Sequence, residues 1–262
     1  MKTIRFFILF LLSIQLLSCR KSEKELAAEK LQRAETLFQQ GQREEAILAA
    51  DSVRLLYKGA VQQVIAADKF KKRVYSELLY DAQNEMDSLK TQITELEKNF
   101  ISEKTEFDRY TQYIHKRQDF QRRWNKSFIQ IYLDERGELY ISSNYYGDQW
   151  LNHTAIRVYD GDIQAKTDSI PVGSALNHHS DFMNTKWEKV SYTGGKDNGV
   201  IEFIADHADR KLKAVFLGKR HYYIVLEDYD KQAFVQALEL SKALKRQAEL
   251  KKRINEYQSK VG

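Results

Sequence analysis

His153, His178, His179, His207 and His221 are the obvious candidates for chemistry in the second half of the chain. His178 and His179, with Asp181 two residues on, have the donor types of a divalent-metal site if His153 or His207 joins them. Their spacing matches no ligand motif of the His-Glu-x-x-His kind, in which one helix face carries both imidazoles. They are expected to be polar loop residues, and no metal or other cofactor is expected. Gly194-Gly195-Lys196 has the composition of a phosphate loop but not the Gly-x-x-x-x-Gly-Lys-Ser/Thr frame, and no helix is expected after it, so it reads as a hairpin turn. Ser169, Ser191 and Asp168 stand in no nucleophile-elbow context. Asp160 and Asp162 flank Gly161, where aspartate is favoured for turning. No catalytic residue is assigned. Tyr145, Tyr146, Trp150 and His153 form an aromatic run whose rings could stack on a sugar or anchor a partner, although alternate strand positions would bury half of them. These four are the candidate ligand or partner contacts.

The elements that would carry these residues lie between 123 and 228, where Gly, Asn, Asp and aromatic residues rise and apolar residues alternate with polar ones. Strands are expected at 128–133 and 138–145 around the turn Asp134-Glu135-Arg136-Gly137, and at 154–159 and 163–167 around Asp160-Gly161-Asp162. A meander is expected over 187–193, 200–205, 211–217 and 222–226, with 170–186 as a long connection. Short strands without intervening helices imply an antiparallel sandwich or barrel-like domain.

Helical patterning flanks this region. Ala34, Leu37, Gly41, Ala46, Ala50 and Val53 have the spacing of one tetratricopeptide-like hairpin turning at Gly41, with no second copy at the 34-residue period. Tyr75, Leu79, Ala82, Met86, Leu89, Ile93, Leu96, Phe100, Glu103, Phe107, Tyr110 and Ile114 alternate steps of four and three, a heptad seam with one polar break. With no Gly or Pro from 60 to 120, a single helix of about 60 residues, roughly 90 Å, is expected. Gln236, Leu240, Ala243, Gln247, Leu250, Ile254 and Tyr257 repeat the spacing near the C-terminus. Antiparallel pairing would set Tyr110 by Leu240, Phe107 by Ala243, Glu103 by Gln247, Phe100 by Leu250, Leu96 by Ile254 and Ile93 by Tyr257. That register leaves a stripe from Leu79 to Met86 uncovered, a candidate docking site for a partner or a second copy.

The fold class read from these patterns is α+β: an N-terminal helical hairpin, a long antiparallel coiled coil closed by the C-terminal helix, and an inserted β-sandwich or barrel-like domain. The expected boundaries are 1–18, 19–59, 60–122, 123–228 and 229–262. The single cysteine excludes a disulfide framework. A formal net charge of +5, two of it from Lys2 and Arg5, is too mild to argue for nucleic acid.

Lys2 and Arg5 precede an apolar run, Phe6 to Leu17, of about twelve residues, too short to span a bilayer core as a helix. It ends in Leu16-Leu17-Ser18-Cys19 and then turns polar at Arg20. This segment resembles the lipobox of bacterial lipoproteins. The resemblance implies cleavage before Cys19, a diacylglyceryl group on its sulfur, an acylated (palmitate-bearing) N-terminus and attachment to a membrane. Together with the hairpin, the heptad seam and the strings NHTAIRVYDGD and GKDNGVIEFIA, the chain resembles uncharacterised coiled-coil envelope lipoproteins of the Bacteroidota. Asp51-Ser52-Val53, Asp87-Ser88-Leu89 and Asp168-Ser169-Ile170 are similar to the short O-glycosylation signal associated with that group. Arg20 is not the Asp-type inner-membrane retention signal, so the outer membrane is expected, facing the periplasm or beyond. The resemblance implies no activity. The expectation is a non-enzymatic tethered protein that presents its β region to an envelope partner. A glycan or small-ligand module using the aromatic run is the alternative, and a hydrolase of unfamiliar type is a third, for which no convergent titratable groups are visible.

Overall fold

Ordered helix begins where the sequence supplies a capping box. The computed structural model describes residues 21–262 apart from 107, 120–124 and 183; the leader 1–18, Cys19 and the seam residue Phe107 lie outside the described residues. Ser22 Oγ accepts from the Glu25 N–H, and the Glu25 carboxylate accepts from the Ser22 N–H at 2.8 Å, satisfying two otherwise orphaned donors. The chain divides into two units, one comprising residues to Asn84 with Arg253–Gly262, the other Glu85–Lys252.

In the first unit, helices α1 (Glu23–Gln39) and α2 (Arg43–Leu56) form the expected hairpin. Gly41, at φ +79°, makes the turn, and the Gln42 N–H returns to the Leu37 carbonyl at 2.9 Å, closing the end of α1. The interior is built largely from alanine: Ala27, Ala34, Ala46, Ala50, Ala60 and Ala67 are buried with Val53, Phe70 and Val74. Side chains this small let helices approach closely, and the Phe38–Phe70 edge contact at 5.9 Å fills the remaining space. Helix α3 (Val61–Glu97) supplies the last of these residues. The C-terminal turns of α5 (Asp228–Val261) reach this unit, where Tyr257 packs on Tyr75 with centroids 6.0 Å apart.

The second unit carries two antiparallel sheets. The larger has the order β1-β2-β3-β4-β8-β7, with β1 Phe100–Glu103, β2 Gln112–His115, β3 Phe128–Asp134, β4 Leu139–Gly147, β7 Asn177–Phe182 and β8 Thr185–Tyr192. The smaller has the order β10-β9-β5-β6, with β5 Ala155–Asp160, β6 Ile163–Lys166, β9 Lys213–Leu217 and β10 His221–Val225. Neither sheet closes on itself among the described residues. All of β3 is buried, so both faces of the large sheet are covered there. Gln118, fully buried, donates to the Ile129 carbonyl and to Asp230 of α5, and accepts from the Ile131 N–H. Gly137 sits at φ +83° in the expected turn, where a Cβ would lie 2.8 Å from the Ser241 carbonyl oxygen of α5.

Several expectations are corrected. The long helix ends at Glu97, not near 120, and the seam positions Phe100, Glu103 and Ile114 lie in the paired strands β1 and β2. The four-three spacing runs on through Phe100 and Ile114, but the local chemistry is that of a turn. The Asp108 carboxylate accepts from the Thr105 N–H and hydroxyl, and the β-prone stretch Gln112–His115 pairs with β3. The register with α5 changes accordingly. Asp230, Gln236 and Ser241 commit the first turns of α5 to the large sheet, through Gln118, His115 and the Gly137 carbonyl. Residues from Ala243 onward are left to meet α3, so Arg246 forks onto Glu85 at 2.6 and 2.9 Å, and Phe100, now in a strand, is not paired with Leu250 across two helices. Met86 is thereby 8% exposed beside Leu244 and Ala248, so the expected stripe is closed at that end; Leu79, in the first unit, is half-buried. Residues 200–205, expected as a strand, form helix α4 (Val200–Asp206), because Val200, Ile201 and Ile204 bury one helical face after Gly199 turns the chain at φ +80°. The 170–186 connection contains β7, and β8 pairs with β4 and β7 rather than continuing a meander.

The bidentate Arg246–Glu85 pair links α5 to α3 on half-exposed surface. A double-mutant cycle with Arg246→Ala and Glu85→Ala is expected to give a coupling of about 0.5–1 kcal/mol in urea unfolding. Zero coupling would show that the pair adds nothing to stability.

Candidate functional site

Strand alternation gives the large sheet two chemically different faces. Opposed pairs place Ile129, Ser143, Val190 and Asn177 on one face, with Tyr145, Glu188 and His179 in the next row. Phe128, Asn144, Lys189 and His178 lie on the other, followed by Tyr146, Trp187 and Ser180.

The first face holds a buried polar network. Ser143 of β4, Glu188 of β8 and His153 of the β4–β5 loop are all 0% exposed. Ser143 Oγ lies 2.8 Å from His153 Nε2, and His153 Nδ1 lies 2.6 Å from Glu188 Oε2. With its proton on Nδ1, the ring donates to the carboxylate and accepts from the Ser143 hydroxyl. Glu188 also accepts from the backbone N–H groups of Leu151 (2.7 Å), Asn152 (2.8 Å) and His153 (3.0 Å). Asn152, at φ +51°, turns these successive donors toward one point, an anion nest. Burial pushes the Glu188 pKa up, but the His153 ring and the backbone donors outweigh it and hold the carboxylate below the usual glutamate value. Ser, His and Glu stand in the order of a hydrolytic triad. In this arrangement no part of the Ser143 hydroxyl reaches the surface, and its other neighbour is the Tyr192 hydroxyl at 3.3 Å. What the network does is hold the 151–153 backbone against β8. The same loop meets the β9–β10 turn, where the Lys219 N–H donates to the Leu151 carbonyl at 2.9 Å and a Cβ on Gly218 would lie 2.4 Å from that oxygen.

The second face is a polar floor with an aromatic rim. Gln130, Ser142 and Asn144 are buried. Gln130 donates to the Gln118 carbonyl and accepts from the Tyr132 hydroxyl, while Asn144 donates to Ser142. Tyr132 and Tyr140 stack with centroids 4.6 Å apart and planes within 2°, and Lys189 donates to the Tyr132 hydroxyl at 3.1 Å. Six residues further along β4, Tyr146 stacks on Trp187 at 5.9 Å. Burial raises the pKa of Tyr140, with Tyr132 adding to it, and burial raises that of Tyr146, so both phenols stay protonated at neutral pH. The Trp187 indole N–H is buried without a hydrogen-bond partner among the described residues.

The four aromatic-run residues do not converge. Tyr145 turns inward, packing on Tyr222 of the small sheet at 5.1 Å and donating to the Gln149 carbonyl. His153 joins the buried network. Tyr146 lies on the opposite face, and Trp150 stacks on His179 with Lys186 above its ring at 5.4 Å. Of the candidate metal ligands, His153 and His179 both approach Glu188, at 2.6 and 4.0 Å from Oε2, and the others do not join them. His178 lies across the sheet from His179, whose Nε2 is 3.0 Å from Asn177 Oδ1, and His207 Nδ1 bonds the Phe203 carbonyl. Among the described residues no group of three or more His, Cys, Asp or Glu side chains is arranged to hold a metal ion. Sequence reasoning missed Ser143, Glu188, Trp187 and Lys189. A signal for Glu188 existed: it shares the inward register of Val190 and Tyr192, and an inward carboxylate requires donors. No family model, curated protein or solved structure matches the chain.

The buried carboxylate makes stability pH-dependent. Its native pKa lies below the unfolded value near 4.5, so its contribution is complete above that pH and is lost as the pH falls through the native value. Glu188→Gln is expected to cost about 3 kcal/mol in urea unfolding at pH 7, with the gap to the parent narrowing below pH 4.5. A pH-independent difference would refute a charged network. Gly218→Ala should cost about 1–3 kcal/mol through its backbone collision with Leu151, measured in the same assay.

Proposed function

We propose that this chain is a non-enzymatic, membrane-tethered envelope lipoprotein, anchored through Cys19 and presenting its β region to another envelope protein. In the finer form of the reading, α3 and α5 pack as an antiparallel coiled coil that carries a two-sheet, sandwich-like region. The tether is supported by the Leu16-Leu17-Ser18-Cys19 pattern after a short apolar run, with the only cysteine of the chain at the acylated position. No helix among the described residues is long and apolar enough to cross a membrane. Several acyl chains on one residue exceed the two-signal requirement for stable anchoring. The single observation that carries the presenting role is the half-exposed Tyr146–Trp187 stack, with half-exposed Lys189 two residues along β8 on the same face. Large aromatic rings held rigidly with one flanking cation are the composition of interface anchors.

One observation favours a second reading, a glycan or small-ligand module. The rings of Tyr146 and Trp187 are half-exposed and stacked, and such ring faces are what a sugar packs against. Crosslinking in intact cells followed by affinity purification separates the two. Under the partner reading, Trp187→Ala lowers recovery of a specific envelope protein about 30-fold, as loss of an anchor worth about 2 kcal/mol requires. Under the ligand reading recovery is unchanged and Trp187→Ala abolishes a glycan-array signal. Retention of both signals would sink the assignment of this face.

A further inference from the structure

We infer that the α2–α3 turn of the first unit rests on the lipid surface beside the anchored N-terminus; this rests on the lipid-tethered reading above. Three large apolar side chains crowd that turn with no cover: Leu55 is 70% exposed, Leu56 63% and Val61 61%. Isolated exposed apolar residues are ordinary, but three within seven residues at one end of a helical unit form a patch. Exposed Lys58 lies between them. The start of α1 is fixed at the same end, because Glu23 Oε1 accepts from the Gly59 N–H at 2.8 Å.

The length of chain before α1 selects the occupant. Cys19 lies three residues before Ser22, the N-cap, and three residues span at most about 11 Å. Acyl chains on Cys19 therefore hold the Gly59 turn within one headgroup layer of the bilayer. Leu55, Leu56 and Val61 at that height enter the boundary between headgroups and acyl chains, where amphipathic elements bury their apolar face by about 5–10 Å. Lys24, one residue on from the bonded Glu23, and Lys58 are exposed at this end and suit anionic headgroups. The acidic groups nearby are engaged: Glu23 holds the Gly59 N–H, and Glu25 caps α1, where its bonds to Ser22 lower its pKa. The tether and the turn together make two contacts with the membrane, which restricts tilting of the first unit where a single flexible anchor would not.

The test uses the full, acylated protein purified from membranes. Cys19 is blocked by its lipid, so Leu55→Cys introduces one free thiol for an environment-sensitive fluorophore; Gln40→Cys, at the far end of α1 about 25 Å away, is the control. Both proteins are placed in vesicles of phosphatidylethanolamine and phosphatidylglycerol with lipids brominated near the headgroup. The Leu55 label should shift to the blue and lose about half of its emission, as a probe about 5–10 Å deep would, while the Gln40 label stays unchanged. Mass spectrometry of the same samples reports acylation. An acylated protein whose Leu55 label is unquenched overturns the contact and leaves the tether standing. A chain without acyl groups overturns both. A blue shift that grows with protein density without quenching assigns the patch to a second copy and overturns the lipid contact.

Discussion

The carboxylate of Glu188 is the point on which the second unit depends. The chain leaves the large sheet at the end of β4 and enters the small sheet at β5, and the loop between them has no regular backbone pairing. Glu188 supplies the missing acceptors, taking three successive N–H groups from 151–153 and the His153 ring as a fourth donor. An apolar residue there would leave three buried donors unpaired, each costing about 1–3 kcal/mol. A carboxylate without them would be an isolated buried charge, so the four contacts and the crossover stand or fall together.

The crossover has consequences on either side. His153 packs edge-on against Phe216 of β9 at 5.2 Å, and the neighbouring Thr154 N–H bonds the Leu217 carbonyl, so the small sheet is hung on the same loop. Gly218 permits the approach, since its missing Cβ leaves room for the Leu151 carbonyl. On the other side Tyr145, opposite Glu188 in the register, meets Tyr222 of β10. A polar clamp and an aromatic contact thus occupy one row of the sheet and join it to its neighbour.

What the sequence made legible follows the range of the forces involved. The Gly41 turn, the alanine positions of the hairpin and the Asp134–Gly137 turn depend on neighbours a few residues away, and their residue types reveal them. The hairpin of 100–115 was illegible for a physical reason. Steps of three and four occur over a short stretch whether the chain is helix or strand, and what decides is pairing with β3, some twenty residues distant. The same holds for 200–206, where β-branched residues favour a strand locally and burial of one helical face overrides them. Of the site, the aromatic wealth around 145–153 was visible, but not which rings face together, because Tyr145 and Tyr146 alternate and only their partners Glu188 and Trp187 separate them.

The two faces of β4 therefore differ in a way that bears on function. On the inner face, Ser143 and Glu188 have their polar groups engaged, His153 bonds both through its ring nitrogens, and none of the three touches solvent, so the network rigidifies the crossover. On the other face, stacked rings fix the positions of Tyr140 and Trp187, and the buried Trp187 N–H has no partner among the described residues. The two faces thus differ in composition: a carboxylate held by four donors on one, and aromatic ring pairs over buried Gln130, Ser142 and Asn144 on the other.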